Sequence, residues 1–155
     1  MPTLQEGDRA PDFELSADEG RISLRDLGGA WVVLYFYPRD FTGGCTQEAC
    51  DFRDALAADH IDATVLGVSP DDVDSHRSFR EAHGLSFPLL ADEDHAVAKA
   101  YGVYGEKVRD GQTRMGIIRS TFVIDPDGVV RKAFYGVEAG GHAADVAEAL
   151  RVLRS

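Results

Sequence analysis

Short apolar runs alternate with amphipathic segments along this chain. Residues 32–37 (VVLYFY) and Thr64–Ser69 (TVLGVS) each form such a run, and continuous apolar character predicts a strand that is buried on both faces. Between them, apolar residues recur at helical spacing from Cys45 to about Asp59, which predicts an amphipathic helix. The order of strand, helix and strand predicts a βαβ unit with parallel strands and a right-handed crossover.

The other segments predict an N-terminal hairpin, two helices with a short extended piece between them, a second hairpin and a closing helix. Their approximate bounds follow from glycine and proline positions, acidic first turns and apolar spacing. The predicted elements are a small hairpin over residues 12–24 that turns at Glu19–Gly20, a helix from Asp71 or Asp72 to about His83, an extended piece at 87–90, a helix within 92–102, strands at 120–125 and 129–135 joined by a Pro-Asp-Gly turn, and a last helix over 142–153.

This order of elements is the order of the thioredoxin fold. A parallel βαβ unit is followed by a helical insertion, an antiparallel hairpin and a closing helix. The predicted fold class is therefore α/β, with a central mixed sheet flanked by helices and an N-terminal hairpin. A length of 155 residues suits one domain, which we expect to span residues 1–155.

Composition and charge narrow the class of partner. Apolar residues make up 44% of the chain and charged residues 28%, as in ordinary globular proteins. The net charge of −11 disfavours binding to nucleic acid and to anionic membranes. The N-terminal sequence does not resemble a signal peptide and no apolar run could span a bilayer, so we expect a cytoplasmic protein. The histidines are dispersed and there is no Cys-x-x-Cys pair, so we expect neither a metal site nor a cofactor.

Cys45 stands at the predicted start of the first helix. First-turn amides lack helical partners and the helix dipole favours an anion there, so the nucleophilic thiolate is stabilised. Gly43 and Gly44 allow close approach of the backbone, Pro38 stiffens the loop and Thr42 supplies a hydroxyl. The alternative is an ordinary buried cysteine. The position after a parallel strand, where α/β folds place their sites, favours a reactive one.

Cys50 follows Cys45 by five residues and is the other cysteine of the chain. Along an intact α-helix this spacing separates the two Cα atoms by roughly 8.5 to 9 Å, whereas a disulfide requires less than about 7 Å. A disulfide between them therefore requires the first helical turns to unwind. The spacing indicates two states, a folded helix with a reactive Cys45 and a locally unwound helix with a disulfide.

The chain resembles the peroxiredoxins over nearly its whole length. Pro38, Thr42 and Cys45 match the Pro-x-x-x-Thr-x-x-Cys pattern of that family, and Cys50 stands at the resolving position of the bacterioferritin comigratory protein or peroxiredoxin Q subfamily. The likeness also covers the segments GDRAPDFEL, GVSPDD, FPLLAD, YGVYGEK, GIIRSTFVIDPDG and GHAADV. One departure is Gly43, where the subfamily usually has proline; the departure predicts a looser loop and removes no catalytic group.

The resemblance implies a thiol-dependent peroxidase. Cys45 would be the peroxidatic cysteine, which attacks a hydroperoxide and becomes a sulfenic acid, and Cys50 would then condense with it to an intramolecular disulfide. Thr42 would hydrogen-bond the thiolate and the peroxide oxygen, and Pro38 would shield the sulfur from water. Hydrogen peroxide and organic hydroperoxides are the expected substrates.

Two further residues receive roles from the resemblance. Arg119, just before a late strand, matches the arginine that stabilises the thiolate and the charge that develops on the peroxide oxygens. Without the resemblance it would be an ordinary charge at a strand edge. Glu48 would brace this arginine, with a plain acidic residue of the first helical turns as the equal alternative.

The resemblance also implies the partners. The expected reductant is thioredoxin or a similar dithiol, and the expected oligomeric state is a monomer, with a dimer as the alternative. Two other functions fit the same fold, a disulfide oxidoreductase and a redox sensor. Disulfide oxidoreductases normally carry Cys-x-x-Cys and a proline where this chain has Arg119 and Ser120. A sensor would show the same chemistry with slow turnover and a stable oxidised complex.

Overall fold

The computed structural model describes residues 4–18 and 20–155. The strands are β1 (Glu14–Ala17), β2 (Gly20–Ser23), β3 (Val32–Phe36), β4 (Thr64–Ser69), β5 (Leu89–Ala91), β6 (Tyr104–Arg109), β7 (Gln112–Ile117), β8 (Ser120–Ile124) and β9 (Val130–Phe134). The α-helices are α1 (Gly43–Ala57), α2 (Val73–His83), α3 (Ala96–Ala100) and α4 (His142–Arg154), and a 3₁₀ turn covers Arg25–Leu27.

Seven strands form one mixed sheet in the order β2-β1-β5-β4-β3-β8-β9. The central strands β3, β4 and β5 are parallel, whereas β8 runs antiparallel to β3 and β9 antiparallel to β8. The predicted parallel βαβ unit, closing hairpin and thioredoxin fold are therefore confirmed. Because β3 lies at the centre and leads directly into α1, the carboxyl edge of the parallel strands carries the loop that ends at Cys45.

The residues of β3 alternate between two apolar layers. Val33 and Tyr35 face a layer that is completed by α1, α2 and α4, with Phe52, Phe79 and Val146 among its members. The alternate positions of β3 face the second layer, which includes α3 and part of the N-terminal segment. None of the helices formed by the described residues has the length and apolar character that crossing a bilayer would require.

Helix α1 begins two residues earlier than the predicted start at Cys45. Thr42 has extended backbone angles (φ −91°, ψ 156°) and is the N-cap, so Gly43 and Gly44 form the first helical positions. The helix ends at Ala57, before the predicted end near Asp59, because Asp59 adopts a left-handed φ of 59° that terminates the helix. Cys45 is consequently the third residue of the helix and not its first.

A two-stranded sheet formed by β6 and β7 is the main element that the sequence pattern missed. The predicted helical insertion contains α2 and α3, but this hairpin follows it directly. The predicted N-terminal hairpin is present as β1 and β2, and β1 joins it to the main sheet by pairing with β5. Of its predicted turn at Glu19–Gly20, Glu19 lies outside the described residues.

Candidate active site

Cys45 occupies the first turn of α1, and its side chain is buried. The first helical hydrogen bond runs from the Thr46 N–H to the Thr42 carbonyl (2.9 Å). The amides of Gly43, Gly44 and Cys45 precede that bond and belong to the group of first-turn donors without helical acceptors. The sulfur is therefore held at the end of the helix where the backbone favours negative charge.

Arg119 reaches this sulfur from the start of β8. Its Nη2 donates to the Sγ of Cys45 at 3.3 Å, and its Nη1 donates to the Oε1 of Glu48 at 2.5 Å. Its main-chain carbonyl accepts from the N–H of Val137 (2.9 Å), which fixes the backbone that carries the guanidinium. A Cβ added to Gly44 would lie only 3.2 Å from Nη2, so the absence of a side chain there makes room for the arginine.

Glu48 and Arg119 form a buried, electrostatically coupled pair. The Glu48 side chain is 0% exposed and that of Arg119 is 15% exposed. Burial raises the pKa of Glu48 to about 7, although the charge and the hydrogen bond of Arg119 act in the opposite direction. Burial lowers the pKa of Arg119, but the neighbouring Glu48 and Cys45 outweigh it and the net pKa is raised. The guanidinium thus stays positive beside the sulfur, whereas Glu48 is more easily protonated than an ordinary glutamate.

Thr42 and Pro38 lie in the loop between β3 and α1. The hydroxyl of Thr42 is exposed and donates to the carbonyl of Arg39 at 3.1 Å, which leaves its lone pairs available as acceptors. Pro38 is half-buried and lines a cavity of about 510 Å³ whose far wall is the hairpin β6–β7. Thr42 thus stands directly before the first turn of α1, and the structure describes no hydrogen bond from Thr42 to the sulfur.

Cys50 is half-buried and lies more than one turn further along α1. Both cysteines are free thiols, and α1 is continuous from Gly43 to Ala57. The structure therefore represents the reduced chain with the helix fully formed.

Comparison with known proteins identifies the family. Residues 6–133 match the model of the AhpC/TSA family. The chain belongs to the AhpC/TSA family. It is a thioredoxin-fold peroxiredoxin, 46% identical over 154 residues to the peroxiredoxin Bcp of Bacillus subtilis, with 98% of this chain and 96% of the relative covered. A putative peroxiredoxin of Mycobacterium tuberculosis is 49% identical over 152 residues, covering 96% of each chain.

Solved structures support the same assignment. The Xanthomonas campestris bacterioferritin comigratory protein, for which alkyl peroxide reduction activity is described, matches with a TM-score of 0.88 and 40% identity over 98% of both chains. A mutant of the Xylella fastidiosa PrxQ matches with a TM-score of 0.91 and 36% identity over 100% of both chains. This peroxiredoxin is thus a peroxidase, and such an enzyme uses a peroxide substrate and a thiol reductant.

The structure brings three of the predicted site residues of this peroxiredoxin into direct contact: Cys45, Arg119 and Glu48. Thr42 and Pro38 precede Cys45 in the loop between β3 and α1, and the intact helix keeps Cys50 apart from Cys45.

A further group at the same edge of the sheet was not predicted from the sequence. This group contains two carboxylates and one imidazole, and one side-chain oxygen or nitrogen of each lies within 4.8 Å of the others: Asp40, Asp71 and His76. Their separation along the chain hid this cluster; the one available signal was that two of them follow the carboxyl ends of adjacent parallel strands.

Proposed function

We propose that Cys45 is the peroxidatic nucleophile of this peroxiredoxin. Its thiolate attacks one oxygen of a hydroperoxide, the O–O bond breaks, the sulfur becomes a sulfenic acid, and the other oxygen leaves as water or an alcohol after it takes a proton. The observation that supports this role is the position of Sγ in the first turn of α1 with Nη2 of Arg119 at 3.3 Å. A cation and free amides together stabilise negative charge on the sulfur.

Arg119 and Glu48 act in this proposal as a pair. Arg119 stabilises the thiolate and then the charge that develops on the peroxide oxygens, because its planar guanidinium offers several donors at fixed angles. Glu48 holds the guanidinium by its other edge through Oε1. Gly44 permits this arrangement, since a side chain there would push Nη2 away.

Thr42 and Pro38 shape the approach to the sulfur. The Thr42 hydroxyl already donates to Arg39, so its oxygen can accept a hydrogen bond from the incoming peroxide. Pro38 contributes an apolar ring at the start of this loop, and by the family resemblance its role is to keep water from the sulfur.

Cys50 is the resolving cysteine in this proposal. The Cys50 thiol attacks the sulfur of the Cys45 sulfenic acid, a disulfide forms and water leaves. This step requires the residues from Gly43 to about Cys50 to unwind, because an intact helix holds the two Cα atoms too far apart. A dithiol reductant of the thioredoxin type then restores both thiols and is itself oxidised to a disulfide.

Substrate, assembly and location complete the proposal. Because the Xanthomonas campestris relative has alkyl peroxide reduction activity, we expect this enzyme to reduce organic hydroperoxides as well as hydrogen peroxide. It acts as a single-domain enzyme of residues 1–155, as a monomer or alternatively a dimer, in the cytoplasm, with no metal or other cofactor.

Mass spectrometry of the reduced protein after one equivalent of peroxide tests the proposal. The wild-type chain should lose two hydrogens and yield a peptide that links Cys45 to Cys50. Cys45→Ser should abolish peroxide consumption, whereas Cys50→Ser should react once and leave a sulfenic acid that a sulfenate-selective reagent traps. Peroxide consumption by Cys45→Ser, or sustained full turnover of Cys50→Ser with thioredoxin as the only reductant, would contradict the assigned roles.

A further inference from the structure

Asp40 is a buried carboxylate in the middle of the loop that joins β3 to α1. It is 4% exposed, although the next residue, Phe41, is 54% exposed. Its Oδ1 accepts from the hydroxyl of Tyr37 at 2.6 Å, and its Oδ2 accepts from the hydroxyl of Ser75 at 2.8 Å. The same Oδ2 lies 2.7 Å from Nδ1 of His76, which is 0% exposed. The carboxylate is thus fully engaged by Tyr37, the residue after β3, and by two residues of α2.

The partners of His76 determine where its protons lie. Its Nε2 is 3.0 Å from the main-chain carbonyl of Leu90, which can only accept, so Nε2 carries a hydrogen. Its Nδ1 faces the carboxylate of Asp40, which is also an acceptor. A second proton must therefore lie between Nδ1 and Oδ2, so these two atoms share one short hydrogen bond. The 2.7 Å distance between Nδ1 and Oδ2 is that of a direct hydrogen bond, so no metal ion can lie between these two atoms.

The main chain of the loop is held at the same point. The N–H of Asp40 donates to Oδ2 of Asp71 at 2.7 Å, and that oxygen also accepts from the hydroxyl of Ser69 at the end of β4. The side chain and the main chain of this one loop residue are consequently fixed from three places: the residue after β3, the loop after β4, and α2. We name this set of contacts, made by Tyr37, Asp40, Ser69, Asp71, Ser75 and His76, the Asp40 clamp.

The residue that follows the clamp is strained. Phe41 has a φ of 64°, in the left-handed region that large side chains avoid. Such a conformation persists only where the surroundings enforce it. One residue later, Thr42 is the N-cap of α1. The strained residue therefore stands between the Asp40 clamp and the first turn that presents Cys45.

We propose that Asp40 is a positioning residue for the reaction at Cys45. The Asp40 clamp holds the loop in the strained conformation that starts α1 at Gly43 and sets Cys45 against Arg119. Asp40 does not touch the sulfur and acts only through the loop. Without the clamp, Phe41 relaxes and the first turns of α1 lose their anchor. The proposal rests on the proposed function in one respect, that Cys45 is the residue that peroxide oxidises.

Loss of the Asp40 clamp affects the oxidation of Cys45 and the formation of the disulfide differently. Oxidation of Cys45 needs the folded first turn, so loss of the clamp slows it. Disulfide formation needs the unwound first turn, so loss of the clamp does not slow it. A residue that merely contributes to stability would not separate the two rates in this manner.

Three variants test the positioning role. Asp40→Ala removes the side-chain contacts of the clamp with Tyr37, Ser75 and His76 and keeps only the main-chain contact with Asp71. Asp40→Asn can rescue the clamp, because an amide oxygen accepts from Tyr37 while the amide nitrogen donates to the lone pair of a neutral His76. Asp18→Ala is the matched control, since it deletes a carboxylate that pairs with Arg80 on the same α2 at 2.7 Å but does not contact the loop. Ser75→Ala removes a single donor to Asp40 and serves if Asp40→Ala does not fold.

Rapid-quench mass spectrometry measures both rates. Cys45 oxidation is followed in a Cys50→Ser background, and disulfide formation is followed in chains with both cysteines. Asp40→Ala should slow Cys45 oxidation by about tenfold or more, since small displacements of reacting groups have effects of this size. It should leave disulfide formation at or above its wild-type rate. Asp40→Asn and Asp18→Ala should both stay within about threefold of wild type, and Ser75→Ala should lie between the extremes.

Amide hydrogen exchange of α1 gives a reading that does not depend on peroxide chemistry. Exchange in residues 46–49 should be faster in Asp40→Ala and Ser75→Ala than in Asp18→Ala. Unchanged exchange, or equal slowing of both chemical steps by Asp40→Ala and Asp18→Ala, would overturn the positioning role. If exchange rises as expected while wild-type Cys45 does not react with peroxide, the proposed function fails and the action of the clamp on α1 stands.

Discussion

Glu48 combines complete burial with a partly unsatisfied carboxylate. Its Oε1 pairs with Arg119, but its Oε2 has no hydrogen-bond partner among the described residues. Burial raises its pKa from 4.5 to about 7. Because the folded chain holds this proton more tightly than the unfolded chain, the associated stability is complete below pH 4.5 and disappears as the pH rises through about 7.

We therefore expect the free energy of unfolding of the reduced protein to fall between pH 5 and 7.5 through Glu48. Urea unfolding across this range measures the slope. Glu48→Gln should flatten it, because the amide does not titrate. Glu148→Gln is the control: this exposed carboxyl pairs with Arg151, which lowers its pKa, so the slope above pH 5 should stay unchanged. An identical slope in wild type and Glu48→Gln would contradict the expectation.

Tyr35 presents a second unsatisfied polar atom near the site. Its hydroxyl is buried and without a hydrogen-bond partner among the described residues, close to Gly67, where an added Cβ would lie 2.9 Å from it. Tyr35→Phe keeps the ring that stacks on Phe52 and removes only this hydroxyl. We expect the free energy of unfolding to rise by about 1 kcal/mol. Urea unfolding measures this change, and a lower free energy of unfolding would show that the hydroxyl has a partner. Tyr101→Phe is the control: it loses a 2.6 Å hydrogen bond to the Pro11 carbonyl and should be destabilised.

At the site, local sequence patterns predicted the position of Cys45 but not its neighbours. Arg119 lies 74 positions from Cys45, and no spacing rule connects them; the family resemblance alone pointed to that arginine. His76 and Asp40 lie 36 positions apart and carried no motif. Contacts between residues so distant depend on how the sheet and helices pack, which local periodicity does not encode.

Among the elements, the hairpin β6–β7 shows why some structure escaped the sequence pattern. Most side chains of β7 are exposed, so the alternation that normally predicts a half-buried strand is weak there. The available signal was the turn, Asp110-Gly111, whose φ values of 53° and 77° suit a two-residue hairpin loop. Where a strand is buried on both faces, as in β8, the prediction was correct.

The turn of this hairpin yields a test. Gly111→Ala places a Cβ on a residue with a left-handed φ of 77°, and we expect a loss of about 1 kcal/mol confined to β6 and β7. Amide exchange should accelerate in these strands while the main sheet is unaffected. As a control, Gly43→Ala, where an added Cβ meets nothing within 4 Å, should leave the hairpin amides unchanged. Protection of β6 and β7 equal to that of wild type would rule out a role for Gly111 in fixing the turn.

For the whole molecule, the proposed catalytic cycle predicts a change in global stability. Unwinding α1 up to Cys50 withdraws Cys45, Glu48 and Ala49 from buried positions. A disulfide that closes so short a loop stabilises the protein by only about 2 kcal/mol, because it restricts the unfolded chain only slightly. We expect the oxidised protein to be about 2 kcal/mol less stable than the reduced one.

Urea unfolding with and without a dithiol reductant measures this difference. Peroxide-treated Cys50→Ser, which forms no intramolecular disulfide, separates the effect of the disulfide from that of sulfur oxidation. An oxidised wild-type protein that is as stable as the reduced one would mean that the disulfide forms without giving up this buried packing.

The overall topology was predictable because its central strands are apolar on both faces and its helices have clear amphipathic spacing. The two layers around β3 follow directly from these patterns. The bounds of α1 were less predictable, since a threonine cap and two glycines set its start in place of an apolar residue.

Gly43 has a consequence for protein engineering. It is the first residue of α1, a position that accepts proline well, and an added Cβ there meets nothing within 4 Å. A search for thermostable variants would therefore select substitutions at this site, because they reduce the freedom of the unwound chain. If the helix must open once in every turnover, the same substitutions would slow that opening and lengthen the time for which the sulfenic acid is exposed to further, irreversible oxidation. Substitutions at this one residue would then raise thermal stability but lower the resistance of the enzyme to inactivation by peroxide.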